Sequence, residues 1–179
     1  MSGAIVTEHV LSMQEWFGFY SVIGGFAATL LGLLFVAVSI NAATILGETH
    51  KNSRRLAEQA FQNYLAVMLV ALLAIFPTLD LPTLGLVTLA VTAISGVWGL
   101  IRFYLALTRP YDPGSRLQSL RRQFSSLVGL GMLIFAALRI AFNLGDSRNL
   151  LAIAAIILLF SATALSWELL LRLAKAKLT

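Results

Sequence analysis

The chain has no cysteine, only two histidines and only eight acidic residues among its 179. Without cysteine there are no disulfides, thiolate metal sites or cysteine nucleophiles. The histidines, His9 and His50, flank the first long apolar run and would sit on opposite sides of a membrane, so one subunit cannot bring both to one metal. No His-Glu-x-x-His pattern, nucleophile elbow or glycine-rich nucleotide loop is present. No two carboxylates lie together inside an apolar run, so intramembrane acid–base chemistry has no obvious members. Thr7-Glu8-His9 has residue types used in catalysis, but a polar N-terminal tail accounts for it better. These absences argue against an enzyme, and no residue is a candidate catalytic, cofactor-binding or metal-ligating group. Charge is scarce too. Only 12% of residues are charged and 59% are hydrophobic, whereas soluble domains run at about 25% and about 45–50%. With a mean hydropathy of +0.87, a water-soluble globule and a disordered chain are both excluded.

What is present is a series of long apolar runs. A helix needs about 20 mostly apolar residues to cross a hydrocarbon core of about 30 Å. Five segments qualify, over about 16–46, 60–77, 84–107, 124–142 and 150–171. They are too long and too continuously apolar for barrel strands, which alternate in polarity over about 10 residues. The expected fold is therefore an all-α integral membrane protein, a single domain of five transmembrane helices in an antiparallel bundle. Residues 1–15 contain no Lys or Arg, so a cleavable signal peptide is not expected. Val6, Val10, Met13 and Phe17 instead recur at helical spacing, with Glu8, Ser12 and Glu15 opposite. This predicts a short amphipathic helix over 5–15 lying on the membrane surface. Ser115 and Gln118 have the spacing of a capping box for the fourth helix.

The basic residues orient the bundle. Lys51, Arg54 and Arg55, then Arg102, Arg109, Arg116, Arg121 and Arg122, and finally Arg172, Lys175 and Lys177 all fall toward one side. Only Arg139 and Arg148 fall toward the other. The positive-inside rule puts the N-terminus outside and the C-terminus in the cytoplasm. Trp16, Phe17, Phe19 and Tyr20 suit the outer boundary, and Tyr64, Tyr104 and Trp167 the inner one. The net charge of +5 is thus a topology signal and does not point to nucleic acid. Arg116, Arg121 and Arg122 suit anionic lipid headgroups on the cytoplasmic side.

Small residues form stripes. At about 100° per residue, Ser21, Gly25, Thr29, Gly32, Val36, Ser39 and Ala43 share one arc of the first helix, opposite Phe26, Leu30, Leu33 and Leu34. Gly85, Thr88, Thr92, Ser95, Gly96 and Gly99 share an arc of the third. A weaker stripe on the fourth runs Ser125, Gly129, Met132, Ala136, Arg139 and Asn143. Such faces let helix backbones approach closely, as packing seams within the chain or between subunits. They could equally line a narrow path for water or ions. Ser21, Gly25, Thr29, Gly32, Ser39, Thr88, Thr92, Gly96 and Gly99 are the candidate pore or packing residues.

Charges inside a span need a partner. Arg102 and Glu168 lie at matched depth on the third and fifth helices, which suggests an ion pair, against an i,i+4 pair of Glu168 with Arg172. Arg139 has Asp80 and Asp146 at its level. Asn41 falls on the bulkier side of the first helix, as a boundary residue or one bonding another subunit. Gln59, Gln62 and Asn63 precede the apolar part of the second helix, reaching headgroups or a polar vestibule. The leading functional reading is a small homo-oligomeric pore or channel-like protein. The alternative is a non-catalytic accessory subunit that binds another membrane protein or lipid. A secondary transporter fits least, because five spans cannot divide into repeated halves.

The string Glu15-Trp16-x-x-Phe19-Tyr20, then Gly24-Gly25-Phe26-Ala27-Ala28 and Gly32-Leu33-Leu34-Phe35-Val36-Ala37, resembles bacterial inner-membrane proteins of unknown function. The resemblance extends to Phe61-Gln62-Asn63-Tyr64-Leu65 and covers the first two spans. It implies a prokaryotic inner membrane and no particular activity.

Overall fold

The computed structural model describes residues 2–46, 51–76, 81–108, 113–142, 144 and 148–176. All their regular structure is helical: α1 (Ser2–Ile40), α2 (Ala42–Leu46), α3 (Lys51–Ile75), α4 (Leu81–Thr108), α5 (Pro113–Ala141) and α6 (Arg148–Ala176). Among the described residues, four stretches are long and apolar enough to cross a membrane: Trp16–Ile40, Ser53–Ile75, Pro82–Ile101 and Asn149–Ala174. The apolar part of α5, Ser126–Ala141, is shorter. At 1.5 Å per residue it covers about 24 Å of a core of about 30 Å. Outside the bundle the surface is apolar on every long helix, with Phe26, Phe61, Ile94, Phe135 and Phe160 all exposed. Such a surface would aggregate in water and suits lipid.

Two boundaries differ from the expected ones. The segment 5–15 is helical, but it continues into α1 without a break. No proline or turn signal separates it from the span, so the helix propagates from Ser2 instead of lying apart on the surface. At 39 residues, α1 is about 58 Å long and must project well beyond the hydrocarbon. The start of α5 lies at Pro113, ahead of the expected Ser115 cap. Proline has a fixed helical φ and no N–H to lose in the first turn, so it opens the helix itself. The turn after α1 is closed at Asn41, whose side-chain amide donates to the carbonyl of Ala37 at 2.8 Å. This local bond at the helix end is what the half-buried Asn41 is seen to make.

Consecutive neighbours in space run α1 on α3, α3 on α6, α6 on α5 and α5 on α4. The interior is divided along the bundle axis. One apolar core gathers Tyr20, Ile23 and Ala27 of α1, Val67 and Val70 of α3, Leu133 of α5 and Leu158 of α6. A second, toward the basic end, gathers Leu34, Ile45, Leu56, Ala60, Tyr64, Leu165 and Leu169. Trp16, Phe19 and Tyr20 form a ring cluster, with Trp16 stacked on Tyr20 at 5.9 Å. Tyr64 does not belong to an interfacial belt. It is 1% exposed, because α6 covers it and supplies partners for its hydroxyl.

Candidate functional site

Between the two apolar cores lies a polar layer. Asn63 on α3 is buried there with Ser126 of α5 and Ser161 of α6. The Ser126 hydroxyl donates to Asn63 Oδ1 at 2.9 Å, and Asn63 Nδ2 donates to Ser161 Oγ at a longer 3.4 Å. One turn toward the basic end, the Tyr64 hydroxyl donates to Thr163 Oγ1 at 3.3 Å, while Ser166 Oγ approaches that same hydroxyl at 3.4 Å. Thr163 and Ser166 give their own protons to carbonyls of α6, Leu159 and Ala162. Three helices are thereby tied at one level by side chains that would be costly to bury unpaired.

Beside Asn63 is a small cavity of about 30 Å³, lined by Gln59, Gln62, Ser95, Gly99 and Ser126 among others. That volume admits a water molecule, and the polar lining supplies the two to four partners a buried water needs. Among the described residues the lining is amide, hydroxyl and apolar, suited to water or a neutral hydrogen-bonding group. Asn63 is buried beside this polar pocket, and the half-buried Gln59 and Gln62 border it, Gln62 also reaching the outer surface between α1 and α3. Helical periodicity singles out Ser125 on α5, whereas Ser126, about 100° further round, carries the bond. Ser161, Thr163 and Ser166 also escape a periodicity search because α6 is apolar on all sides. Polar residues at matching depth on three helices are the signal that would find them.

The two principal small-residue stripes meet different fates. The α4 stripe closes against α5. A methyl at Gly85 would lie 2.4 Å from the backbone nitrogen of Ala141, and one at Gly96 would lie 3.4 Å from Ile134. A methyl at Gly99 would lie 3.5 and 3.7 Å from Leu127 and Leu130. Thr88 and Thr92 are 1% and 0% exposed in this seam, and Thr92 Oγ1 bonds the carbonyl of Thr88 at 2.7 Å. Gly85, Thr88, Thr92 and Gly96 are thus buried where α4 packs within the chain, and Gly99 borders the polar cavity beside Asn63. On α5, Gly129 similarly faces Leu158 and Ile157 of α6. The α1 stripe is open: Ser21, Gly25, Thr29, Gly32 and Ser39 are all exposed. A methyl at Gly18, Gly25 or Gly32 would meet nothing within 4 Å. The bulky side of α1 is split, with Leu34 in the core and Phe26 and Leu33 outside. Gly24 turns inward, where its methyl would meet Ala71 of α3 at 2.9 Å.

The charged candidates are placed less fully. Glu168 accepts two bonds from Arg172, at 2.7 and 3.1 Å. Arg102 lies in α4, and Arg116, Arg121 and Arg122 lie in α5, but their side chains fall outside the described residues. Asp80 and Asp146 fall outside them as well. Arg139 closes the end of α5 by donating from Nη2 to the carbonyl of Leu144 at 2.8 Å. Its Nε and the Thr88 hydroxyl are buried without a hydrogen-bond partner among the described residues. Among those residues no group of His, Asp or Glu could hold a metal. No family model, curated protein or solved structure matches this chain.

Proposed function

We propose that the chain is a five-span protein of a bacterial inner membrane, N-terminus outside and C-terminus cytoplasmic, that acts without catalysis as a homo-oligomer joined through α1. The observation that carries this reading is the contrast between the stripes. The α4 seam is filled by α5, while the comparable face of α1 is exposed and meets no partner among the described residues. Close approach of small faces is the usual means of joining helices in lipid. A ring of copies meeting on this face would bring Ser21, Thr29 and Ser39 toward a common axis, with the Thr29 hydroxyl bonded back to Gly25 at 2.9 Å. Such a ring is the pore-like form of the proposal, and its lining comes from α1 alone.

A second reading is an accessory subunit that docks one helix of another membrane protein on the same face. It is favoured by the burial of Thr88, Thr92 and Gly96 inside the chain, which leaves the α1 stripe as the exposed one of the two principal small-residue faces. Gly32→Trp separates the two. The position is open, so the variant should fold. For a pore, native mass spectrometry in mild detergent should give a closed ring of several subunits in wild type. Thr29→Trp or Gly32→Trp should then block flux in liposomes while the ring persists. Loss of assembly with no flux to lose would favour the accessory subunit. A wild-type protein that is monomeric at every detergent concentration would sink the homo-oligomer.

A further inference from the structure

Between α1 and the basic end of α3 lies an open groove of about 480 Å³. Its walls are Leu34 and Val38 of α1 with Ala57 and Phe61 of α3, and its polar rim is Glu58 and Gln62. Arg54 stands one turn beyond, on the same face of α3, with its Nε bonded to Glu58 Oε1 at 2.9 Å. That bond uses one of five guanidinium donors, and the Arg54 side chain remains 62% exposed. Arg55, also exposed, follows on the Gln62 side of the rim. The groove is thus apolar along its length and carries net positive charge at one end.

We infer that this groove binds one anionic glycerophospholipid, an acyl chain lying between Leu34, Val38, Ala57 and Phe61 and the phosphate meeting Arg54 and Arg55. The inference rests on the chain being embedded in a membrane and is independent of how, or whether, copies assemble. The volume is that of a ligand-sized site, about 300–1,000 Å³, and a chain is the apolar ligand a bilayer supplies. Two features separate the site from ordinary lipid contact. The groove is concave between two helices, and its charge lies at the end where a phosphate at the bilayer surface would sit. Glu58 does not oppose the phosphate, because Arg54 already neutralises it, and with Arg55 the rim keeps one positive charge in excess. The rim selects for charge and the groove for a chain.

The test uses the full-length protein in mild detergent, incubated with dioleoyl phosphatidylglycerol or dioleoyl phosphatidylcholine and examined by native mass spectrometry. Wild type should retain one phosphatidylglycerol per subunit at concentrations where phosphatidylcholine is lost. Arg54→Gln should lower that preference about fivefold, the factor corresponding to about 1 kcal/mol per basic residue at the surface. Val38→Trp should displace both lipids by filling the groove. Phe61→Trp repeats the test at a residue 40% exposed, where a change of size leaves the core alone. Equal retention of the two lipids by wild type would overturn the inference. So would phosphatidylglycerol binding unchanged in both tryptophan variants, which would place the lipid elsewhere, or an unchanged preference in Arg54→Gln.

Discussion

Replacing Gly85 by Ala adds one methyl group where α4 and α5 come closest. That methyl would stand 2.4 Å from the nitrogen and 2.8 Å from the Cα of Ala141, and 3.0 Å from the carbonyl oxygen of Ala137. Ordinary contacts between such atoms are about 3.5–4.0 Å, so the two helices must separate by about 1 Å. The obstacle is backbone, so no side-chain rotation can relieve it. Overpacking costs about 1–3 kcal/mol, and a clash with a helix backbone belongs at the upper end. Separation also loosens the surrounding α4–α5 packing, where a gap of about 0.5–1 Å forfeits about a quarter to a half of a contact's dispersion energy. Against this, Ala gains up to about 1 kcal/mol over Gly in helix propensity. The net expectation is a loss of about 2 kcal/mol, or about 4–8 °C in Tm for a chain of this size. The control is Gly25→Ala, where nothing lies within 4 Å and only the propensity gain of up to about 1 kcal/mol remains. Thermal unfolding followed by tryptophan fluorescence, in the same detergent, measures both. A Gly85→Ala protein as stable as wild type would refute the reasoning. It would mean that α4 and α5 do not meet backbone to backbone at this level.

Asn63→Ala should destabilise by about 2 kcal/mol, from two interhelical bonds at about 0.6 kcal/mol each and the cavity left behind. Ser161→Ala should cost under about 1 kcal/mol, since its bond to Asn63 is long, and a larger loss at Ser161 than at Asn63 would overturn this ordering. Thr88→Val should be neutral or stabilising by up to about 1 kcal/mol, because its buried hydroxyl has no partner among the described residues to lose; a loss of more than that in Tm measurements would place an acceptor near it. Arg172→Gln should change stability by only about 0.5 kcal/mol and less in high salt, as for a partly exposed i,i+4 pair. If a double-mutant cycle of Arg102→Ala with Glu168→Ala gives additive losses, Arg102 is no partner of Glu168. The native chain has no cysteine, so Ser2→Cys and Thr179→Cys each provide a single label site. A membrane-impermeant maleimide should reach position 2 in intact cells and position 179 only after lysis; the reverse pattern would invert the orientation.

The number and approximate extent of the long helices are legible in the sequence, because twenty apolar residues in a row have few other fates. Helix ends are less so. The junction of segment 5–15 with the first span carries no stop signal, and a change from amphipathic to apolar composition does not end a helix. Pro113 opens α5 although Ser115 and Gln118 offer a capping box two residues later. The polar layer is the least legible part. Asn63 attracts notice as a polar residue near a span, but Ser126 and Ser161 acquire meaning only when α3, α5 and α6 bring them together.

The two stripes show why periodicity stops short of function in this chain. On α1 and on α4 the sequence presents the same pattern, glycine and hydroxyl residues along one arc, and nothing within either helix distinguishes them. The distinction comes from the partner. The helices α4 and α5 are consecutive, so the α4 stripe finds Ala137 and Ala141 of a neighbour joined to it by a short connection. The α3 helix meets α1 on a different arc, through Tyr20, Ile23, Ala27 and Leu34, and the stripe is left facing away. A residue that joins helices within one chain and a residue free to join two chains can therefore have identical local sequence. What separates them is which face the connecting topology spends first, and on α1 that choice leaves a long small-residue surface exposed.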